Sequence, residues 1–295
     1  SKRLAPMTTQ RSEFRFLDPL RVRWAEVDMQ KVVFNGHYLM YVDTAMGNYW
    51  RALALPYEAT LAALDGDLFV RRSTLDYLAP ARYDDALDIG IRFESAGTSS
   101  LRFVAAVFRG DDLLGHGQIV YVWTDAATRR PQPAPAALVD AFRAHAAGEP
   151  MISVSVGDWG ELGAQAQAIR TAVFVEEQKV PLALERDAAD LTAVHALARN
   201  RLGLAVGTGR LLAAEGPGHP ARIGRMAVSR GLRGANIGRA VLEALMAAAG
   251  ERGDAEVMLH AQVSAIGFYR RAGFAPHGEP FEEAGIGHLE MRRAP

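Results

Sequence analysis

The stretch RRPQPAPAALVDAFRAHAAGEP, residues 129–150, constrains the fold more than any other part of the chain. Its prolines at 131, 133, 135 and 150 fix φ and remove backbone donors, so no single strand or helix can run from one side of it to the other. Between them an Ala-rich run reads as one short helix that closes what precedes it, and Gly148 to Pro150 read as a linker. The 295 residues thereby divide near Gly148 into two parts of ordinary domain size, 1–147 and 148–295.

The two parts are patterned differently. Before the seam, runs at 14–27, 68–78, 86–94, 100–109 and 112–123 read as strands. In SLRFVAAVFRG, Leu101, Phe103, Ala105 and Val107 share one face, and Gly110-Asp111-Asp112 turns the chain into the next strand. Leu39, Val42, Met46, Tyr49 and Leu53 recur at helical spacing and predict one helix of about four turns. A sheet with one apolar face needs a cover, and this helix is the long candidate ahead of residue 135. After the seam the elements alternate. A strand at 151–156 precedes a helix from an Asp158 N-cap to Val175, followed by strands at 192–199, 203–213 and 222–228. A helix at 237–251, a strand at 255–261, a helix at 264–272 and two short strands near 274 and 288 complete the pattern. Both parts are α+β.

With 33 basic and 34 acidic side chains the net charge is -1, so no bulk field draws nucleic acid or anionic lipid. No apolar run approaches the roughly 20 residues of a membrane span. SKRLAPMTTQ lacks the apolar core of a secretory signal, and a soluble, cytoplasmic protein is expected. The absence of cysteine removes thiolate nucleophiles and Cys-type zinc sites. The eight histidines show no ligand spacing, so no metal is expected. Chemistry falls to carboxylates, histidine, tyrosine, serine and the backbone.

Two stretches carry candidate chemistry. In ARIGRMAVSRGLRGANIGRAVLEALM a strand ends at Val228, a loop with glycines at 231, 234 and 238 follows, and a helix begins at once. Glycine lets successive N–H groups converge, and the helix adds its positive end, a geometry suited to a pyrophosphate. Arg230, Arg233 and Arg239 offer charge-assisted donors. A plain strand-to-helix turn remains the alternative. In RWAEVDMQKVVFNGHY, Asp28 stands where a β-like run ends, just ahead of a helix start at Asn35-Gly36-His37. It is either a turn former or an acid aimed at a helix N-terminus, where N–H groups from Asn35 and Gly36 onward could hold an oxyanion.

The loop, together with AEVMLHAQ and VSAIGFYRRAGF, resembles the GNAT acetyltransferase superfamily over roughly residues 151–293. RTAVFVEEQKVP, ERDAAD and EAGIGH resemble a subgroup of it. The resemblance implies acetyl-CoA as substrate and direct transfer to an amine. Main-chain groups of Met226, Ala227 and Val228 would line the pantetheine arm, and Arg233, Gly234, Ala235, Asn236, Ile237, Gly238 and Arg239 would form the pyrophosphate loop. Asn236 departs from the usual glycine, yet asparagine tolerates a left-handed backbone. Tyr269 falls on the tyrosine that returns a proton to the CoA thiolate, a role that an ordinary pKa near 10 suits. Arg222 and Arg225 stand in the strand where family members often place the general base, leaving Glu177, Glu185, Asp187, Asp190, His195 and His260, or a water chain, as candidates.

Residues 14–145, with the Asp-x-x-x-Val-Val-Phe-Asn-x-x-Tyr spacing and RRSTLDYLAPARYDD, resemble the hotdog-fold thioesterases of the 4-hydroxybenzoyl-CoA type. This implies a long helix wrapped by an antiparallel sheet, acyl-CoA as substrate, Asp28 as the catalytic carboxylate, and the helix start at Asn35 and Gly36 as oxyanion donor. It also implies a homodimer or tetramer, and it makes Arg71, Arg72 and Arg82 candidates for the CoA phosphates. The expectation is a bifunctional CoA-ester enzyme. Its rivals are a hotdog half that serves only to dimerise an acetyltransferase, or a C-terminal half that senses CoA and regulates hydrolysis.

Overall fold

The computed structural model describes residues 9–295. They form two compact bodies, one ending at Met151 and the other beginning at Ile152.

The first body contains β1 (Phe16–Arg21), α1 (Asn35–Ala52), α2 (Tyr57–Ala63), β2 (Gly66–Tyr77), β3 (Ala86–Ala96), β4 (Ser100–Arg109), β5 (Asp112–Asp125) and α3 (Ala136–Ala147). The strands make an antiparallel sheet in the order β1-β3-β4-β5-β2. The apolar stripe of α1 buries Tyr38, Val42, Ala45, Met46 and Tyr49. Tyr49 meets the rings of Phe16, Phe103 and Phe142, and Phe142 of α3 reaches Phe93 and Phe103 as well, so the closing helix shares this core. Aromatic rings bury large areas and prefer such edge and offset contacts.

The expected strand at 14–27 is shorter. β1 ends at Arg21, because Glu26 folds the chain back: its carboxylate accepts the Arg23 N–H at 2.8 Å, and its own N–H donates to the Arg23 carbonyl. The short α2 escaped the sequence reading, having only seven residues between α1 and β2. Gly117 marks a close approach of β5 to β2, since a Cβ there would collide with the Thr74 carbonyl oxygen.

The second body contains β6 (Ile152–Gly157), α4 (Trp159–Arg170), a π-helical stretch Thr171–Glu177, α5 (Leu182–Glu185), β7 (Val194–Asn200), β8 (Ala205–Leu212) and β9 (Ala221–Val228). Then come α6 (Ile237–Arg252), β10 (Val257–Gln262), α7 (Ile266–Arg271), β11 (Ala275–Pro276), β12 (Phe281–Glu283) and β13 (Ile286–Arg293). The sheet order is β11-β13-β10-β9-β8-β7-β6, with β12 paired to β13. Every pair is antiparallel except β9 with β10.

Asp158 caps α4 by accepting the Glu161 N–H at 3.0 Å, as its position suggests. The helix expected to reach Val175 changes character after Arg170 into i→i+5 bonding, such as Gln178 N–H to the Val173 carbonyl. β13 is eight residues long and pairs on both sides, unlike the short strand expected near 288; Gly287 and the charged Glu290 and Arg292 obscure its alternation. α6 lies close on β8 because Gly207 leaves room, a Cβ there standing 2.7 Å from Ile237 Cγ2.

Candidate functional site

In the second body, β9 pairs with β10 over only three residues, Ala221–Ile223 against Val257–Leu259. Beyond that the two strands part, while β9 stays paired with β8 as far as Val228. A bulge at Arg225, φ +54°, bends β9 at this point. One edge of β9 is thus left without a ladder partner, and such backbone groups need another one. A cavity of about 410 Å³ opens there, lined among others by Gly224, Met226, Leu259, His260, Tyr269 and His288. Of the pantetheine candidates Met226 faces the cavity, whereas the Ala227 side chain is buried in the core under α4. The Val228 carbonyl accepts from Arg233 Nε at 3.3 Å.

The loop after β9 has the anticipated conformation. Gly234 has φ +91° and Asn236 has φ +62°, the left-handed geometry that asparagine tolerates best after glycine. The N–H groups of Gly234, Asn236, Ile237 and Gly238 find no acceptor among the described residues, while Ala235 donates to the Leu232 carbonyl. With the positive end of α6 behind them, these free donors have the geometry that suits an anion. Two arginines expected to assist are otherwise engaged. Arg233 forms a two-pronged pair with Glu177 at 2.7 Å on each arm, and Arg239 binds Glu243 at 2.8 Å and the Arg271 carbonyl at 3.1 Å. Arg233 holds the Glu177 carboxyl below its ordinary value, so Glu177 is a clamp at the loop and a poor proton acceptor.

Most other base candidates belong to one network around the buried Arg170 and Arg210, with Asp187 at its exposed edge. Arg170, 1% exposed, donates from Nε to Glu185, to both oxygens of Asp190 at 2.8 and 3.0 Å, and to the Glu185 carbonyl at 2.9 Å. Arg210 binds Asp187 and Asp190 at 2.7 Å, and Arg225 ties the Leu184 and Glu185 carbonyls to β9. The Arg210 guanidinium pulls Asp187 down to about 2. Burial pushes Asp190 up, but Arg170 and Arg210 outweigh it and leave it below its ordinary value. Burial lowers His195, whose Nε2 lies 2.9 Å from the Asp190 carbonyl. The ERDAAD motif is therefore a charge-balanced brace for the segment bearing Leu184 and Glu185, which line the cavity.

Tyr269 is 8% exposed, and burial pushes its phenol up to about 12. Its hydroxyl has no partner among the described residues. It is a stronger proton holder than the ordinary phenol assumed from sequence. The cavity also holds three groups from the last hairpin and its neighbours: Glu283, His260 and His288. Of these only His260 was singled out by residue type; Glu283 and His288 lie in EAGIGH, a motif noted without a role.

In the first body a cavity of about 400 Å³ is lined by Asp28, Val32, Phe34, Asn35, Tyr38 and Tyr77. The fold does bring Asp28 to the start of α1. Asp28 Oδ1 accepts the Gln30 N–H at 2.8 Å, forming the turn that a bland reading expects. The other carboxylate oxygen has no partner among the described residues. The N–H groups of Asn35 and Gly36 likewise find no acceptor there; Asn35 lines the cavity and Gly36 does not. Tyr77 O–H anchors the helix start by donating to the Asn35 carbonyl at 3.0 Å. Glu26, which sequence reasoning passed over, is buried beneath. Burial works against its charge, yet Tyr41 O–H at 2.6 Å and Arg23 hold it below its ordinary value.

Among the described residues no cluster of three His, Cys, Asp or Glu side chains could hold a metal ion. No helix among them is long and apolar enough to cross a membrane.

A splayed strand pair with an anion loop defines an acyl-CoA N-acyltransferase fold for the second body, and a long helix wrapped by an antiparallel sheet defines a hotdog for the first. Residues 162–294 match the acetyltransferase (GNAT) domain family, to which the chain belongs, and residues 22–142 match the model of the thioesterase-like superfamily. The uncharacterized N-acetyltransferase YjcF of Bacillus subtilis is 33% identical over 126 residues, 42% of this chain and 87% of the relative. The acyl-CoA thioester hydrolase YbgC of Escherichia coli O157:H7 is 28% identical over 126 residues, 42% of this chain and 93% of the relative. Among solved structures, an acyl-CoA N-acyltransferase from Pseudomonas aeruginosa is 33% identical, covering 48% of this chain and 99% of that one at a TM-score of 0.44. A thioesterase from Thermus thermophilus, complexed with coenzyme A and zinc, is 29% identical, covering 47% of this chain and 98% of that one at a TM-score of 0.41.

Proposed function

We propose that the protein is a bifunctional CoA-ester enzyme. The second body transfers an acetyl group from acetyl-CoA to an amine, and the first hydrolyses an acyl-CoA thioester. The observation that carries the reading is the parting of β9 from β10 beyond Ile223, with the anion cradle of Gly234 to Gly238 at one end and Tyr269 on the cavity wall. Acetyl-CoA lays its pyrophosphate on the cradle and its pantetheine arm along the free edge of β9. The amine attacks the thioester carbon, the C–S bond breaks, and Tyr269 delivers a proton to the departing sulfur. In the first body Asp28 attacks the acyl-CoA carbonyl or activates water, and the Asn35 and Gly36 N–H groups meet the oxygen as it gains charge.

A homodimer belongs to this reading. β2 is a sheet edge, with Val70 exposed beside Leu39 and Met40 of α1, and a second copy of this chain would cover that face. A cytoplasmic location and the absence of a metal cofactor are likewise part of it. The test is free-thiol release from short, long and aromatic acyl-CoAs, with and without amines, in wild type, Asp28→Asn and Tyr269→Phe. On the reading, Asp28→Asn loses about 100-fold in hydrolysis alone. Equal hydrolysis in both proteins would sink the thioesterase half and leave a dimerisation module. Acetyl-CoA binding without turnover for any amine would leave a CoA-sensing domain.

A further inference from the structure

The acetyl transfer proposed above needs a proton acceptor for the amine, and the usual strand position holds Arg222 and Arg225. Glu177, Asp187 and Asp190 are committed to arginines and held low, Glu185 is buried against Arg170, and His195 is buried beside the Asp190 carbonyl, away from the cavity lining. Two histidines on the cavity wall remain, and their hydrogen bonds separate them. Nδ1 of His260 stands 3.0 Å from the Arg222 guanidinium and 3.2 Å from a Glu283 carboxylate oxygen. The first can only donate and the second only accept, so no single tautomer is selected. Nδ1 of His288 lies 2.8 Å from the Ile286 carbonyl oxygen. A carbonyl only accepts, so in the neutral ring Nδ1 carries the hydrogen and Nε2 is a bare lone pair. The residue is 9% exposed, its ring is stacked on Phe281, and Nε2 has no partner among the described residues. Nε2 is not sealed from solvent. It is therefore open, on a residue that lines the cavity shared with Tyr269.

We propose that His288 is the general base of the transfer, an inference that rests on the acetyltransferase reading. Of the two protons that leave the acceptor's ammonium group, one goes through Nε2 of His288 to solvent. The nitrogen lone pair forms the C–N bond, the C–S electrons move to sulfur, and Tyr269 supplies the proton that makes the free thiol, being recharged by the second proton from nitrogen. The Ile286 carbonyl and the Phe281 ring hold the imidazole in place. The charged and titratable groups on the surrounding walls are Glu283 of β12, His260 of β10, Arg222 and Arg225 of β9, Tyr269 of α7 and Glu185 of α5. Glu283 interacts electrostatically with His288.

The experiment uses the full chain, acetyl-CoA, and lysine, spermidine and glucosamine as acceptors, with thiol release followed from pH 6 to 9. His288→Asn keeps an N–H for the Ile286 carbonyl and removes the base; His288→Gln is the second variant and His260→Gln the control, with acetyl-CoA affinity reporting an intact fold. The expected result is a loss of at least about 100-fold in kcat for both His288 variants, with KM for acetyl-CoA retained. Their rates keep rising with pH where wild type levels off, and added imidazole restores part of the loss. Wild-type kcat and pH profile in His288→Asn would overturn the base assignment while leaving the transfer reading intact. If wild type acetylates none of the amines, the transfer reading itself fails and the base role with it.

Discussion

Replacing Arg170 by methionine removes the centre of the buried brace, and the structure sets the size of the effect. Arg170 is the side-chain partner of Glu185, which is 1% exposed and whose Oε2 already lacks a partner. It also binds both oxygens of Asp190, 4% exposed, for which Arg210 is the remaining guanidinium. The variant leaves Glu185 as a buried charge without its ion-pair partner, Arg225 reaching only its carbonyl. Breaking such a pair from one side costs about 3–5 kcal/mol, which lowers the melting temperature of a domain of this size by roughly 10 °C. The packing of Arg170 against the Trp159 ring, 5.5 Å from its centroid, is lost as well. Because the chain has two bodies, the assay is amide hydrogen exchange across β7, β8 and β9, which reports the second body alone. The decisive comparison is Arg170→Met with Glu185→Leu. Removing both members deletes the stranded charge, so the double variant is the more stable of the two, and the effects are strongly non-additive. A single variant within about 0.5 kcal/mol of wild type, or a double variant less stable than the single one, would refute the reasoning.

Acid tests the same brace through Asp187. Its carboxyl is drawn from 3.8 down to about 2 by Arg210, so its stabilisation is present above the unfolded value and lost as pH falls through the folded one. Exchange protection in β8 and β9 therefore drops between about pH 4 and 2, and Asp187→Asn flattens that drop. Tyr269→Phe removes an acid whose hydroxyl has no protein partner, so it lowers kcat for transfer by about 100-fold while leaving thermal stability nearly unchanged. Asn236→Ala places a Cβ-bearing residue without a compatible side chain at φ +62°, costing about 1 kcal/mol. It weakens acetyl-CoA binding measured by calorimetry, whereas Asn236→Gly matches wild type. Gly117→Ala drives a Cβ into the Thr74 carbonyl and lowers the melting temperature of the first body, seen by circular dichroism, through loss of the β2–β5 pairing.

The parts legible in the sequence were those governed by local rules. Period-2 runs located β3, β4 and β5, helical spacing located α1, and Asp158 marked the start of α4, because each depends on neighbours a few residues away. The loop at Gly234 to Gly238 was legible for the same reason, down to the left-handed backbone of Asn236. What escaped depends on contacts across long sequence separations. Arg233 reads as a free cation until Glu177 is found beside it, and ERDAAD reads as a row of candidate acids until Arg170 and Arg210 meet it. His288 was legible only as part of EAGIGH, without a role, since its tautomer is set by a carbonyl two residues away in a hairpin whose long strand was hidden by glycine and charge.

The π-helical stretch from Thr171 to Glu177 has a consequence for how the chain tolerates changes in length. Its i→i+5 bonds hold one more residue per turn than α4 needs, so the surplus sits between the buried face of Leu162, Ala166 and Ile169 and the clamp formed by Glu177 with Arg233. Losing one residue there converts the wide turn into an ordinary one while both ends keep their anchors. Alignments of related chains should accordingly place a one-residue gap within 171–177, and a single deletion at Ala172 should be borne better than one anywhere in Trp159–Arg170.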